Sequence, residues 1–131
     1  IDEAGLAGRV EFLGHIGHAA LPAELAQAEA FLLPSRQENS PMAIAEAMAV
    51  GVPVIAANRC GMPYMVEEGS TGFLVDPEDT AMIADRLTRL LTDGGLRSDM
   101  AAAGRQAARQ RFHPDLIAQR TVEVYRRAVG R

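Results

Sequence analysis

Two short apolar runs, Ala30-Phe31-Leu32-Leu33 and Pro53-Val54-Ile55-Ala56, flank a stretch that carries both the start and the stop signal of a helix. No other feature constrains the fold as much. Each run has the length of a buried strand, so the whole reads as a strand, turn, helix, strand unit. Ser40 followed by Pro41 reads as an N-cap and first helical residue, because proline lacks the amide that a first turn leaves unpaired anyway. Gly51 is a natural helix stop. The helix predicted from about Pro41 therefore points its positive end beyond the strand end at Ser35. In an open parallel sheet that is where phosphorylated ligands bind. Two carboxylates bracket this end: Glu38 in the loop, and Glu46 about a turn and a half into the helix.

The rest of the chain repeats the alternation. Ile1 to Leu6 reads as the tail of a helix, Val10–Leu13 as a strand, and Gly14-His15-Ile16-Gly17-His18 as a loop. A short helix is predicted over Leu21 to Ala28, with proline in its first turn. After Ala56 come a loop through Asn58, Cys60 and Gly61, a short helix near Pro63 to Glu67, a turn at Gly69 and a last strand from Gly72 to Val75. Short, almost wholly apolar strands between helices predict an α/β fold with a parallel sheet. From Asp79 onward the period changes to that of helices. Ile83, Leu87, Leu90 and Leu91 form one stripe, closed by Asp93-Gly94-Gly95. Leu96 to about Gln110 is a second helix, and His113-Pro114-Asp115 starts a third with the stripe Ile117, Thr121, Val124, Tyr125 and Ala128. Tyr125 is expected to be buried against the sheet domain, with Arg126 and Arg127 outside.

At 131 residues the chain is one domain's worth, enough for a single core. It divides into an α/β core over residues 1–78 and helices over 79–131. No apolar run approaches the ~20 residues needed to cross a bilayer, and no charged-then-apolar leader is expected. Cys60 is the only cysteine, which excludes a disulfide framework and a multi-cysteine metal site. A reduced, cytoplasmic setting is expected. The charge is uneven: residues 1–85 hold 3 Arg against 13 Asp and Glu, residues 86–131 hold 10 Arg against 4, and there is no lysine. The plain reading is that these arginines coat solvated helix faces. The sharper one is a patch for acidic lipid, as in peripheral membrane contact, or for a polyanionic acceptor. Nucleic acid is disfavoured, since aromatics are sparse and none interleave with the arginines.

The string Glu38, seven residues, Glu46, then Ala47-Met48-Ala49-x-Gly51-x-Pro53-Val54-Ile55 resembles the retaining family-4 glycosyltransferases of GT-B fold. Further landmarks follow in order: Arg9-Val10-Glu11-Phe12-Leu13-Gly14-His15, Leu33-Pro34-Ser35, Gly61-Met62-Pro63 and Glu68 to Val75. The resemblance implies the C-terminal nucleotide-sugar-binding half of GT-B, a Rossmann-like parallel sheet with helices on both faces. It also implies upstream strands with an arginine and a lysine that clamp a diphosphate, and an N-terminal domain that binds acceptor. The expectation is thus a part of a larger retaining enzyme, itself inactive, whose partners are a nucleoside-diphosphate sugar and a sugar or lipid-linked acceptor. The full-length enzyme is then cytoplasmic or associated with a membrane. In the strand order that the resemblance implies, Val10–Leu13 would have no neighbour and Ala30–Leu33 an open edge. Strand-mediated self-association, a displaced first strand or an aggregation-prone soluble state is expected.

A carboxylate accepts two hydroxyl hydrogens at once, so Glu46 suits the ribose 2′- and 3′-hydroxyls, which is also the role the resemblance implies. The resemblance assigns Glu38 the catalytic place at the hydroxyls of the donor sugar. The amides of Met42 and Ala43 lie in the first helical turn and face the diphosphate, with Ser40 beside them as binding residue or plain cap. Gly14 and Ile16 follow the strand end where relatives hold the base. Ser40-Pro41, Cys60 and Tyr64 depart from the family pattern, which has small residues or glycine, a glycine and a glutamate there. His15 and His18 read as polar loop, and His113 as a helix start. No third histidine or carboxylate stands at ligand spacing, so neither a metal nor another cofactor is expected. Two other readings stay open: another GT-B enzyme acting on sugar nucleotides, such as an epimerase, and a non-catalytic α/β interaction module.

Overall fold

The computed structural model describes residues 1–130. Its elements run α1 (Leu21–Leu25), β1 (Phe31–Leu33), α2 (Met42–Val50), β2 (Val54–Ala57), a 3₁₀ turn (Met62–Tyr64), β3 (Gly72–Val75), α3 (Thr80–Thr92), α4 (Gly94–Arg111) and α5 (Pro114–Ala128). The three strands form one parallel sheet in the order β1-β2-β3. Phe31 lies opposite Val54, and Val54 opposite Gly72, and the strands are parallel, so all three leave the sheet at the same edge. β2 is buried at every position, as the apolar run requires of a central parallel strand.

Alternate residues of β2 feed two cores. Val54 and Ala56 join Ile44, Ala47 and Met48 of α2, together with Met62, Met65 and Val66. Ile55 faces the other way and joins Phe73 and Val75 of β3, Leu90 of α3 and Met100 of α4. Helices therefore cover both faces. α4 serves both cores, because Met100 packs in the second and Ala107 and Ala108 in the first. It runs back along α2 in the opposite direction. Arg105 lies over Gly51, Gly104 lies against Met48, and Phe112 shares a cleft with Met42.

The helix signals work largely as expected. Gly51 closes α2 in the left-handed region, at φ 84°. Asp79 caps α3 by accepting from the Met82 amide at 2.9 Å. Asp93 ends α3 and starts α4, its side chain accepting from the Leu96 amide at 2.9 Å, so α4 begins two residues before the predicted Leu96. His113 caps α5.

Other expectations fail for identifiable reasons. Val10–Leu13 is not a strand, and Phe12 is 84% exposed. No strand of the described residues lies beside it, and an extended segment without a ladder partner gains nothing from its backbone. The segment lies off the sheet, but as irregular chain rather than as the displaced strand expected. Ile1 to Leu6 is a set of turns rather than a helix tail. α1 is shorter than predicted, and the helix near Pro63 is the single 3₁₀ turn. Leu91 falls outside the buried stripe of α3. Tyr125 is 67% exposed, against the expected burial, because α5 packs mainly on α4 and leaves its apolar stripe uncovered. Arg126 and Arg127 are exposed as expected. No described helix is long and apolar enough to cross a membrane.

Candidate functional site

Three loops leave the C-terminal ends of the strands: residues 34–41 after β1, 58–61 after β2 and 76–79 after β3. In parallel sheets this edge is where ligands bind. The first loop carries Glu38, which is half-buried, and its carbonyl accepts from the Gly61 amide at 2.9 Å. Gly61 is held to glycine by contact. A Cβ there would stand 1.4 Å from the Asn39 carbonyl oxygen. The loops after β1 and β2 are therefore in backbone contact. Cys60, next to Gly61, adopts φ 53°, a left-handed conformation that costs a side chain with a Cβ.

α2 starts one residue later than predicted, at Met42, with Pro41 in the N-cap position. Ser40 does not cap it. Its hydroxyl points to the Met65 sulfur at 3.9 Å, and no side chain caps this end. The amides of Met42 and Ala43 belong to the first turn, whose donors have no partner within a helix. Met42 is 58% exposed. The helix end thus presents free donors and the positive end of its dipole at the ligand-binding edge of the sheet.

Glu46 stands on the outer face of α2, its side chain 34% exposed, on the ridge between two clefts. One, of about 270 Å³, lies between α2 and the α4–α5 corner and includes Met42, Ala45, Arg109, Phe112 and His113. The other, of about 140 Å³, lies between α2 and α1 and includes His18, Leu21, Pro22 and Leu25. His18 Nδ1 lies 4.0 Å from Glu46 Oε1, so the loop after residue 13 reaches the helix through this pair. Gly14, at φ 64°, and the half-buried Ile16 belong to the same loop but line neither cleft. Glu38, Ser40, Met42 and Ala43 thus form one loop-and-helix unit. Glu46 follows a turn further along, and Gly14 and Ile16 stand apart from both.

Sequence reasoning missed the charged residues that frame this edge. Arg36 forks onto Glu78, with Nε to Oε1 at 2.9 Å, and Arg59 pairs with Asp76 at 3.0 Å. Arg111, at the end of α4, donates to the Tyr64 and Met65 carbonyls and faces Glu67 at 3.7 Å, fastening the turn that follows Gly61. The available signal was position. Arg36 follows directly on Pro34-Ser35, and Asp76-Pro77-Glu78 directly on β3. Among the described residues no group of three or more His, Cys, Asp or Glu side chains converges to hold a metal.

The family described as "Glycosyl transferases group 1" matches residues 1–107. The GDP-mannose-dependent alpha-(1-6)-phosphatidylinositol monomannoside mannosyltransferase of Mycobacterium tuberculosis is 34% identical over 131 residues, covering 95% of this chain and 34% of that protein. Among solved structures, sucrose-phosphate synthase from Thermosynechococcus elongatus superposes with a TM-score of 0.93 at 32% identity, covering 98% of this chain and 32% of that one. HepE of Anabaena, in complex with UDP, superposes with a TM-score of 0.89 at 31% identity, covering 95% of this chain and 34% of that one. The same protein is also solved in complex with UDP-glucose. The chain spans about a third of the length of the relatives it matches.

Proposed function

This chain belongs to the group 1 glycosyl transferases, and from that premise we propose that it is the donor-binding portion of an enzyme that moves a sugar from a nucleoside-diphosphate sugar to an acceptor. The observation that carries this reading is the uncapped start of α2 at the C-terminal edge of the sheet, with Glu38 before it and Glu46 within it. Anabaena HepE, which shares this fold, is solved with UDP and with UDP-glucose, and that supports a nucleotide sugar as the ligand.

In this reading the Met42 and Ala43 amides face the diphosphate, and the helix end stabilises the negative charge that develops as it leaves. Glu46 accepts the two ribose hydroxyl hydrogens, and Glu38 contacts the hydroxyls of the transferred sugar. Gly14 and Ile16 lie toward the base. The chain has no lysine, so any lysine in the diphosphate clamp comes from the remainder of the enzyme, as does the acceptor site. Retention of anomeric configuration is what the resemblance to the retaining family-4 glycosyltransferases implies; proton NMR of the first-formed product, read at its anomeric position, tests it.

Titration calorimetry tests the division of roles. Glu46→Ala is expected to abolish nucleoside diphosphate binding or weaken it by ~1.5–3 kcal/mol, the scale of hydrogen bonds to a charged group. Unchanged affinity would remove the ribose assignment. Glu38→Ala is expected to spare the bare nucleotide and lower turnover in the full-length enzyme.

A further inference from the structure

The three loops at the ligand edge are joined into a closed ring of contacts. Arg36, two residues before Glu38, holds both carboxylate oxygens of Glu78, with Nε to Oε1 at 2.9 Å and Nη2 to Oε2 at 3.1 Å. The Glu78 amide donates to Asp76 Oδ1 at 3.0 Å, and the same oxygen accepts from Arg59 Nη2 at 3.0 Å. Arg59 stands two residues before Gly61, whose amide returns to the Glu38 carbonyl at 2.9 Å. The backbone from Glu38 to Arg36 completes the ring.

We propose that Arg36 and Glu78 are positioning residues that hold the loop after β1 so that Glu38 meets the donor sugar. This rests on the reading of Glu38 as the donor-sugar contact. Ser40 does not fasten the loop to the helix, so its fixed points ahead of α2 are the Gly61 bond, the Arg36 fork and the long contact of the Ser40 hydroxyl to the Met65 sulfur. Most surface ion pairs hold little, but a planar guanidinium meeting a planar carboxylate through two bonds fixes direction as well as distance. That matters here because misplacing a group by about 1 Å at a reacting centre costs around a hundred-fold in rate. Both nitrogens of the Arg36 fork are engaged by Glu78. Nη1 keeps both of its N–H donors, so the competing role, Arg36 as a direct contact to the diphosphate, is separated by the affinity for the bare nucleotide.

The test uses the full-length protein carrying this chain and four variants: Arg36→Glu, Glu78→Arg, the double charge swap, and Glu78→Gln as the mildest change. Two measurements are made. Amide hydrogen exchange at Gly61 is followed without ligand, and affinities for UDP, UDP-glucose, GDP and GDP-mannose are taken by calorimetry. Each single variant is expected to speed Gly61 exchange about two- to five-fold, the reach of an exposed pair. Each should weaken the nucleotide sugar relative to its bare nucleotide by a similar factor, with Tm unchanged. The double swap is expected to restore both. Unchanged exchange in the single variants, or a swap that fails to restore it, overturns the proposal. So does an equal loss for bare nucleotide and nucleotide sugar in Arg36→Glu, which would make Arg36 a phosphate contact. A wild-type protein that holds nucleotide sugars no better than nucleotides defeats the Glu38 reading instead. In that event the Gly61 exchange, which needs no ligand, still decides whether the ring holds the loop.

Discussion

Cys60 and Gly61 sit side by side under opposite demands. Cys60 carries a Cβ where the backbone turns left-handed, at φ 53°, while Gly61 carries none because the Asn39 carbonyl fills that space. The left-handed conformation costs a non-glycine residue roughly 1–2 kcal/mol, and glycine's greater freedom in the unfolded chain offsets about 0.5–1 kcal/mol of that. Cys60→Gly is therefore expected to raise stability by ~0.5–1 kcal/mol in urea unfolding, and a loss of stability would show that the thiol makes a contact worth more than the strain. Gly61→Ala is expected to do the reverse. Its methyl cannot coexist with the Asn39 carbonyl, so the Glu38 loop must shift, and nucleotide-sugar affinity should fall together with stability. The ends of α2 were legible in the sequence to within a residue because a proline and a glycine mark them locally, whereas Glu38 and Glu46 stood out only through their place in the motif. The Arg36–Glu78 fork was not, since residues far apart in the chain meet there only after the sheet has formed.

Among the elements, those that bury a continuous face were read correctly and those that depend on a neighbour were not. β1, β2 and β3 follow from apolar runs, and α3 and α4 from period and caps. Val10–Leu13 also reads as a strand, with Glu11 as its one charged residue, but a strand exists only beside another strand. The stripe of α5 likewise predicts a buried face without saying what buries it. The contrast between α3 and α5 is measurable. Leu90 is fully buried in the second core, so Leu90→Ala is expected to cost ~2–5 kcal/mol. Tyr125→Ala should change the stability of this chain by less than ~0.5 kcal/mol, the usual range for surface positions. Parallel urea titrations compare the two, and a Tyr125→Ala cost above 2 kcal/mol would show that α5 folds back onto the sheet.

At the scale of the whole molecule, β1 pairs on one side only, with β2. Its other edge carries unpaired backbone groups beside the 36%-exposed Leu32, the kind of edge that recruits another strand. The 131-residue chain is expected to self-associate through this edge at raised concentration, as light scattering behind size-exclusion chromatography would show. Backbone hydrogen exchange of the monomer should find the Val10–Leu13 amides unprotected and those of Val54–Ala56 slow. Equal protection of the two would mean that the first segment had found a partner strand.

The long packing of α4 along α2 also has a kinetic consequence. β1, α2 and β2 meet through a short crossover, whereas Met48 and Gly104 touch across a separation of 56 residues. Closing that larger loop forfeits more chain entropy before any contact rewards it, so α4 should dock on the downhill side of the folding barrier. Ala108→Gly on the buried face of α4 is then expected to accelerate unfolding while leaving the refolding rate nearly untouched, a φ-value of about 0–0.3. Ile55→Val in β2 should slow refolding instead. Stopped-flow chevrons of the two variants would separate them. The helix that braces the ligand-binding edge would then be the last to arrive and the first to let go.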